Sequence, residues 1–293
     1  MVTALLIALM ITIYTSQSLF CKRYTDSYPG KPALASPSFT VVSSLFVVLV
    51  MFCFAGFRFS ASWETLLLGS LNAIVLFFYN ILIVSSSRLG PYSIMMVINL
   101  SGGIILPAII TPFLGDKLSV PKLLAIGAVI LAVWMISYRK GEAKAKSKYF
   151  FPLCLALGVT NGAYCIFLDL QDRITGVAEK EEMVAITFGL AAIASFVLIL
   201  IREKGSLSCI VRQSKASVVN LAIASASIAF AIKLLVLLLP RVNTAVLFTL
   251  NNAGVFLLSV ICSALLFRDK LTRLNIIGCA LMCAALAAVA LVK

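Results

Sequence analysis

Histidine is absent from this chain of 293 residues, and charged residues make up only 12% of it. Without imidazole a chain has no serine or cysteine hydrolase triad, no histidine-ligated zinc or iron site and no axial-histidine haem. The eight cysteines form no CxxC pair, and most lie in apolar runs, where a thiol packs as a small hydrophobe. We therefore expect no enzymatic activity, no metal site and no cofactor.

Apolar residues, in contrast, make up 62% of the sequence. The mean hydropathy is +1.10, whereas an average soluble domain is about half apolar and about a quarter charged. A bilayer core takes about 20 mostly apolar residues for each crossing helix, so a chain of this length holds at most roughly ten to twelve crossings. The composition predicts an all-α integral membrane protein surrounded by a lipid bilayer, with no soluble domain.

Ten apolar runs bounded by charge, proline or glycine are candidate membrane spans. They cover residues 3–20, 38–57, 65–87, 91–112, 120–138, 150–169, 183–201, 216–239, 243–267 and 273–292. This assignment puts Pro29, Pro32 and Pro37 in the first loop. Pro107 lies well inside the fourth span, which it should kink.

Lysine and arginine cluster at the ends of these spans. The formal net charge of +13 would suggest a nucleic-acid partner in a soluble chain. Here sixteen basic residues fall in loops on one side, seven fall on the other, and Lys233 lies within a span. The positive-inside rule then predicts that the sixteen-charge side is cytoplasmic and that both termini are external. We expect a multi-pass protein of the plasma membrane that binds no nucleic acid.

The chain also contains an internal repeat. A shift of 153 residues aligns Leu68 with Leu221, Phe77 with Phe230, Leu82 with Leu235, Arg88 with Arg241, Asn99 with Asn252, and the DKLS of 116–119 with the DKLT of 269–272. A shift of 148 aligns Ala8-Leu9 and Thr12 with Ala156-Leu157 and Thr160. Each half then holds five spans, in residues 1–138 and 149–293, joined by a basic linker at 139–148. Because five is odd, the halves are predicted to form inverted repeats, which are typical of transporters.

These features resemble the drug/metabolite transporter superfamily, in particular its EamA-like ten-helix members. The resemblance covers the whole chain and is carried by the duplication, by Asp116-Lys117 and Asp269-Lys270 before the fifth and tenth spans, and by Gly127 and Gly278 within those spans. It implies a transporter, with export as the direction. Family members usually have cytoplasmic termini, whereas the charge distribution here favours external ones. Small multidrug resistance members bind cations through a first-helix glutamate, for which the first span of this chain offers only Gln17.

Polar side chains within the spans mark the interior of the bundle, because hydrocarbon offers them no partner. They recur along the repeat-related first and sixth, third and eighth, and fourth and ninth spans, which predicts a polar cavity near the middle of the membrane. The predicted substrate-binding residues are Tyr14, Gln17, Asn72, Tyr79, Asn99, Asn161, Tyr164, Lys233 and Asn252. The alternative is that each of these side chains only bonds one helix to another. For Lys233 the alternatives are snorkelling, a structural ion pair or contact with substrate.

Small residues predict close helix packing at Gly158 and Gly162 in the sixth span and at Ala280, Ala284 and Ala288 in the tenth. No GxxxxGK[ST] motif occurs, so ATP is not the direct energy source. The leading hypothesis is a secondary transporter, a monomer or homodimer, that moves a small polar or amphipathic organic solute by alternating access. The runner-up is a lipid-linked carrier or flippase in which Lys233 holds a phosphate headgroup.

Overall fold

A computed structural model describes residues 2–90, 92–115, 119–138, 147–175, 179–204, 210, 213–266 and 272–291. Within these residues, ten helices are long and apolar enough to cross a membrane, as the sequence predicts. The helices are α1 (Val2–Ser27), α2 (Pro32–Phe54), α3 (Trp63–Leu89), α4 (Tyr92–Ile110), α5 (Val120–Ser137), α6 (Phe150–Thr175), α7 (Lys180–Arg202), α8 (Lys215–Leu238), α9 (Thr244–Leu266) and α10 (Arg273–Leu291). Single 3₁₀ turns follow α4 at Thr111–Leu114 and α8 at Leu239–Arg241. The DKLS and DKLT turns and most of the linker 139–148 lie outside the described residues.

The start of α2 differs from the prediction. Pro32 is the first residue of this helix and Pro37 lies inside it, so the assignment of both prolines to the loop was wrong. Proline at the first helical position costs little, because the N–H that it lacks would have no partner there. The starts of α3 and α8 follow ordinary capping chemistry. Ser62 accepts a hydrogen bond from the Thr65 N–H at 3.3 Å, and Ser214 accepts one from the Ser217 N–H at 3.1 Å.

Glycine contacts join α4 to α6. A Cβ atom on Gly102 would lie 2.3 Å from the carbonyl oxygen of Gly158, and a Cβ atom on Gly162 would lie 2.7 Å from that of Gly102. The predicted close approach at Gly158 and Gly162 is therefore confirmed. The prediction for the tenth span was wrong, because Ala280 and Ala284 are exposed. The buried face of α10 is instead formed by Asn275, Gly278, Met282, Ala285 and Val289.

The pairing of helices repeats along the chain. Helix α1 packs on α8 and α9, and α6 packs on α3 and α4; helix α2 packs on α8, and α7 packs on α3. The remaining large contacts join α2 to α7, α4 to α9 and α5 to α10. Each helix can be exchanged for the helix five places along the chain. Under this exchange, every one of these helix pairs becomes another pair of the set or remains the same pair.

Helix bounds follow the same register. Adding 148 to the bounds of α1 and α2 gives 150–175 and 180–202, which are the bounds of α6 and α7. Adding 153 to the bounds of α5 gives 273–290, which ends one residue before the end of α10. The shift of 148, which the sequence supports with few identities, thus also relates the lengths of two pairs of helices.

Contacts between connections define two ends of the bundle. At the end that we call the basic end, Lys31 forms an ion pair of 2.9 Å with Glu203, and the Asn275 amide donates to the Tyr138 carbonyl at 3.1 Å. At the opposite end, the Ser62 N–H donates to Glu179 at 2.9 Å and Arg173 donates to the Leu114 carbonyl at 2.6 Å. The basic end carries the loops that the charge count assigns to the cytoplasm.

Most of the buried apolar side chains form two clusters. The one that we call the central cluster joins seven of the helices, and it contains Met10, Val47, Met51, Leu68, Cys165, Leu168, Met183, Val184, Phe188, Leu235, Leu238, Leu247 and Phe248 among others. The second cluster packs α4 and α5 against α9 and α10. The central cluster therefore fills the space between the two predicted halves toward the opposite end.

Candidate functional site

Four of the predicted site residues meet where α3, α4, α6 and α9 come together. The Asn161 amide donates to the Asn99 carbonyl at 2.9 Å, and the Asn99 amide donates to the Tyr79 hydroxyl at 3.3 Å. The Asn252 amide donates to the Gly103 carbonyl at 3.3 Å. We call Tyr79, Asn99, Asn161 and Asn252 the amide cluster. It brings together residues of both predicted halves.

Gly103 lies at the centre of this cluster and allows it to form. A Cβ atom there would lie 2.5 Å from the Asn161 amide nitrogen and 2.9 Å from that of Asn252. Asn99 is only 2% exposed, and its side-chain oxygen is buried without a hydrogen-bond partner among the described residues. Since a buried unpaired amide oxygen costs free energy, this atom marks a place where a ligand donor or a water molecule would be stabilised.

The remaining polar residues of the predicted site are spread more widely. Tyr14 and Tyr164 pack on the central cluster, and Gln17 is half-buried on α1. Asn72 is fully buried, and neither atom of its amide has a partner among the described residues. It lies one turn from Leu68, a member of the central cluster, so its amide group faces the interior of the bundle. These four residues do not join the amide cluster through any hydrogen bond in the described part of the chain.

Lys233 lies at the opposite end and has an intramolecular partner. Its ammonium pairs with Glu181 in the first turn of α7 and lies 4.8 Å from the centre of the Phe54 ring. The side chains are 23% and 18% exposed, so both charges are partly removed from solvent. This geometry favours the ion-pair reading of Lys233. The sequence offers no acid at equal depth in the third, fourth or ninth span, and the partner comes instead from the end of the seventh.

We expect Lys233→Met and Glu181→Gln each to lower thermal stability, and the double variant to lose less than the sum of the two. Each single change leaves the other charge unpaired in a partly desolvated place, whereas the double change removes both, so a coupling free energy of about 1 kcal/mol is expected. The measurement is apparent Tm in detergent. Solute flux per folded protein should stay within about twofold for Lys233→Met. Strictly additive Tm losses, or abolished flux, would contradict the structural role.

Further polar contacts tie together the connections at the opposite end. Asp169 is buried and accepts hydrogen bonds from Arg173 at 2.7 Å and from Thr244. Lys180, which is 4% exposed, forms an ion pair with Asp172. Asp169 thus joins α6 to α9 through its bond with Thr244. The connections at this end are joined by charge pairs that bury ionised groups.

Glu179 belongs to this network and lies outside the spanning segments. Its carboxylate accepts hydrogen bonds from the Thr65 hydroxyl, from the Ser62 N–H at 2.9 Å and from the Ser62 hydroxyl at 2.7 Å. These bonds, that from Thr65 first, lower the pKa of Glu179 below its ordinary value. Because they favour the ionised form, they stabilise the folded state above the ordinary glutamate pKa of about 4.3.

This stabilisation should disappear as the pH falls through the lowered pKa of Glu179. We expect the apparent Tm of the wild type to fall more steeply between pH 6 and pH 3.5 than that of Glu179→Gln, which has no group to protonate there. Glu64→Gln, at an exposed position in the first turn of α3, is the matched control and should keep the wild-type slope. Parallel curves for the wild type and Glu179→Gln would contradict this role.

A cavity of about 270 Å³ lies between α2, α3 and α7 toward the basic end. We call it the basic-end pocket. Its walls combine hydroxyl groups, one amide, one guanidinium and several apolar side chains: Ser36, Pro37, Thr40, Phe77, Asn80, Ile81, Ser85, Leu89, Ser195, Leu198 and Arg202. None of these residues is in the predicted site. Ser36 and Thr40 lie one helical turn apart on α2, which places both hydroxyl groups on one face of this helix. This spacing was missed because the Pro37 region was assigned to a loop.

Comparison with known proteins identifies the fold and no family. No family model and no curated protein matches this sequence. A crystal structure of another protein matches the fold with a TM-score of 0.76 at 15% sequence identity, over 99% of this chain and 99% of that one. That protein's name states no activity. At this identity the likeness shows that the ten-helix arrangement occurs in a solved structure, and it shows nothing about chemistry.

Proposed function

We propose that this chain is a secondary transporter of the EamA-like kind, in which two inverted five-helix repeats move a small polar or amphipathic organic solute by alternating access. The proposal is supported by helix pairs that recur when the helices are exchanged five places along the chain. It is also supported by the bounds of α1 and α2, which coincide with those of α6 and α7 after a shift of 148, and by those of α5, which match α10 to within one residue after a shift of 153. Two related halves of five helices each can exchange conformations and open a central site to either side.

The observation that carries the proposal is a difference between the two ends of the bundle. The basic-end pocket lies between α2, α3 and α7. Its counterpart in the repeat register, between α7, α8 and α2 at the opposite end, holds buried members of the central cluster such as Val47, Val184 and Phe188. An open pocket at one end and a packed seam at the other is the arrangement expected of one state of an alternating-access transporter.

In this proposal the amide cluster supplies the central site for the solute. Neutral amides and a phenol bind solutes through hydrogen bonds and impose no net charge on them. This chemistry fits polar metabolites such as amino acids better than permanently charged cations. We place the chain in the plasma membrane, with loading from the basic end and export as the direction.

Reconstituted protein tests this function against the flippase alternative. Proteoliposomes with purified protein should accumulate at least one radiolabelled amino acid or related metabolite faster than vesicles without protein. Movement of labelled lipid without any soluble solute would favour the flippase. That alternative relied on Lys233 to hold a phosphate headgroup, and the pairing of Lys233 with Glu181 removes the observation in its favour.

The orientation can be tested separately by labelling single cysteines on a cysteine-free background. In intact cells, Lys148→Cys at the basic end should resist an impermeant maleimide, whereas Phe57→Cys, at an exposed position of the opposite end, should react readily. The charge distribution predicts this outcome, with external termini. The reverse pattern would give the chain the cytoplasmic termini usual in the family that it resembles, and export would then load from the opposite end.

A further inference from the structure

The polar groups of the basic-end pocket are largely free of intramolecular partners. Arg202 and the side chains of Asn80, Ser85 and Ser195 make no hydrogen bond or ion pair with any residue that the structure describes. The nearest acid in sequence is Glu203, which pairs with Lys31 at 2.9 Å and does not neutralise Arg202. Within the described part of the chain, the pocket therefore presents one solvent-exposed cation with no acidic partner, beside an amide and hydroxyl groups, all of which donate hydrogen bonds.

The opposite end of the bundle shows what occupies the equivalent position there. The repeat register pairs Asn80 with Lys233 at a shift of 153 and Arg202 with Phe54 at a shift of 148. At the opposite end the Lys233 ammonium pairs with the carboxylate of Glu181 and lies 4.8 Å from the centre of the Phe54 ring. The position 148 residues before Glu181 is residue 33, an alanine. The basic end thus has a cation, Arg202, at the position equivalent to Phe54, while the chain supplies no carboxylate at the position equivalent to Glu181.

Neighbouring wall residues differ between the two ends in the same sense. The pocket residues Ser36, Thr40, Ser85 and Ser195 correspond to Val184, Phe188, Leu238 and Val47, all of which are buried in the central cluster. Hydroxyl groups therefore line the pocket where the opposite end has apolar side chains that fill the space. A volume of about 270 Å³ is near the lower limit of ligand pockets, which span roughly 300–1,000 Å³. It suits a small solute.

We infer that the basic-end pocket binds the carboxylate of a small organic acid or amino acid, with Arg202 as its cation. A guanidinium matches a carboxylate with two parallel hydrogen bonds. Asn80, Ser85 and Ser195 bond the remaining polar atoms of the solute, and Phe77 and Leu198 contact its apolar part. The ligand carboxylate takes the place that Glu181 takes in the second half. This assignment rests on the proposed transport function and names its substrate class as carboxylates.

Binding is measured by thermal shift in detergent, which requires no transport. The probes are the amino acids L-alanine and L-glutamine and the organic acids acetate, lactate and succinate. The neutral counterparts of the three organic acids are acetamide, lactamide and succinamide. At least one carboxylate should raise the apparent Tm in a saturable manner, and its amide should not. Arg202→Gln should raise the apparent Kd at least tenfold, and Arg202→Lys should raise it less. Arg273→Gln, exposed at the same end and outside the pocket, should leave it unchanged.

A second variant tests the argument from the repeat. Lys31 pairs with Glu203, which brings the start of α2 to the end of α7, so Ala33→Glu tests whether a carboxylate supplied by the chain can replace that of the ligand. This variant is expected to have a higher Tm without ligand and to show no further shift with carboxylates. Unchanged carboxylate binding in Ala33→Glu would overturn the assignment.

Two more outcomes would overturn it. One is the absence of any carboxylate shift in folded wild type, or a shift that persists in Arg202→Gln. The other is an Arg202-dependent shift with dioctanoyl phosphatidylglycerol alone, which would make the ligand a lipid phosphate. Failure of binding is distinguishable from failure of the proposed function, because proteoliposomes would still move solute through the amide cluster. Binding without flux would instead retain the pocket and remove the transporter.

Discussion

Replacing Asn99 with leucine should lower solute flux at least tenfold while leaving most of the protein folded. Asn99 is the one residue of the amide cluster whose side chain and backbone both bond to other members, since its amide donates to Tyr79 and its carbonyl accepts from Asn161. Its buried, unpaired side-chain oxygen is the atom best placed to accept a hydrogen bond from a solute. Leucine removes this acceptor and the hydrogen bond to Tyr79. Loss of the hydrogen bond lowers stability, whereas loss of the buried oxygen without a partner raises it, so the two effects on stability oppose each other.

The matched control is Thr160→Val, next to Asn161 on α6. The Thr160 hydroxyl bonds only to the Leu157 carbonyl of its own helix at 2.9 Å, so valine keeps its shape and breaks no contact between helices. We expect wild-type flux for this control and a Tm within a few degrees of wild type for both variants. Normal flux in Asn99→Leu, measured in proteoliposomes and normalised to folded protein, would remove the amide cluster from the transport route.

Gly102→Ala should strongly reduce the yield of folded protein. The added methyl carbon would lie 2.3 Å from the carbonyl oxygen and 2.4 Å from the Cα atom of Gly158, and backbone of a packed helix does not move aside easily. Overpacking of this kind costs about 1–3 kcal/mol, and contact with backbone puts the expected loss at the upper limit. Alanine also favours a helix over glycine by about 1 kcal/mol. The overpacking cost must exceed this gain for the substitution to be destabilising, and a cost at the upper limit does.

Gly127→Ala is the control for this prediction. A Cβ atom on Gly127 would meet nothing within 4 Å among the described residues, so only the gain in helix propensity remains and the Tm should stay constant or rise. The readout is the monodisperse fraction in size-exclusion chromatography together with the apparent Tm. Equal behaviour of the two alanine variants would mean that α4 and α6 do not approach as closely as the structure places them.

The number of spans could be predicted from the sequence because hydrocarbon requires long apolar helices whatever their packing. Their ends could not, since α1 and α6 continue beyond the apolar run as polar helical turns to Ser27 and Thr175. Apolar composition no longer indicates a helix where the chain reaches the membrane surface. Hydrogen bonding within the helix continues there.

The candidate site was predictable where one residue type recurs in register. Asn99 and Asn252 are found this way, and both belong to the amide cluster. Lys233 was harder to interpret, because a long side chain reaches Glu181 at a helix end and that reach depends on how α7 and α8 approach. The basic-end pocket was missed, since it is a gap between three helices and its serines and threonine resemble ordinary helix-packing residues in one dimension.

The central claim is that the two ends open in turn, and one pair of cysteines tests it directly. Ser195 lines the basic-end pocket, and its partner at a shift of 148 is Val47, which is fully buried in the central cluster. Reactivity with a maleimide is measured for Ser195→Cys and Val47→Cys on a cysteine-free background, with and without a transported solute. Ser195 is itself 3% exposed and reaches solvent only through the pocket. The account therefore predicts faster labelling of Ser195→Cys than of Val47→Cys at rest, with opposite changes in the two rates during transport. Rates that rise or fall together, or a Val47→Cys thiol that never reacts in protein shown to transport, would contradict alternating access between these two halves.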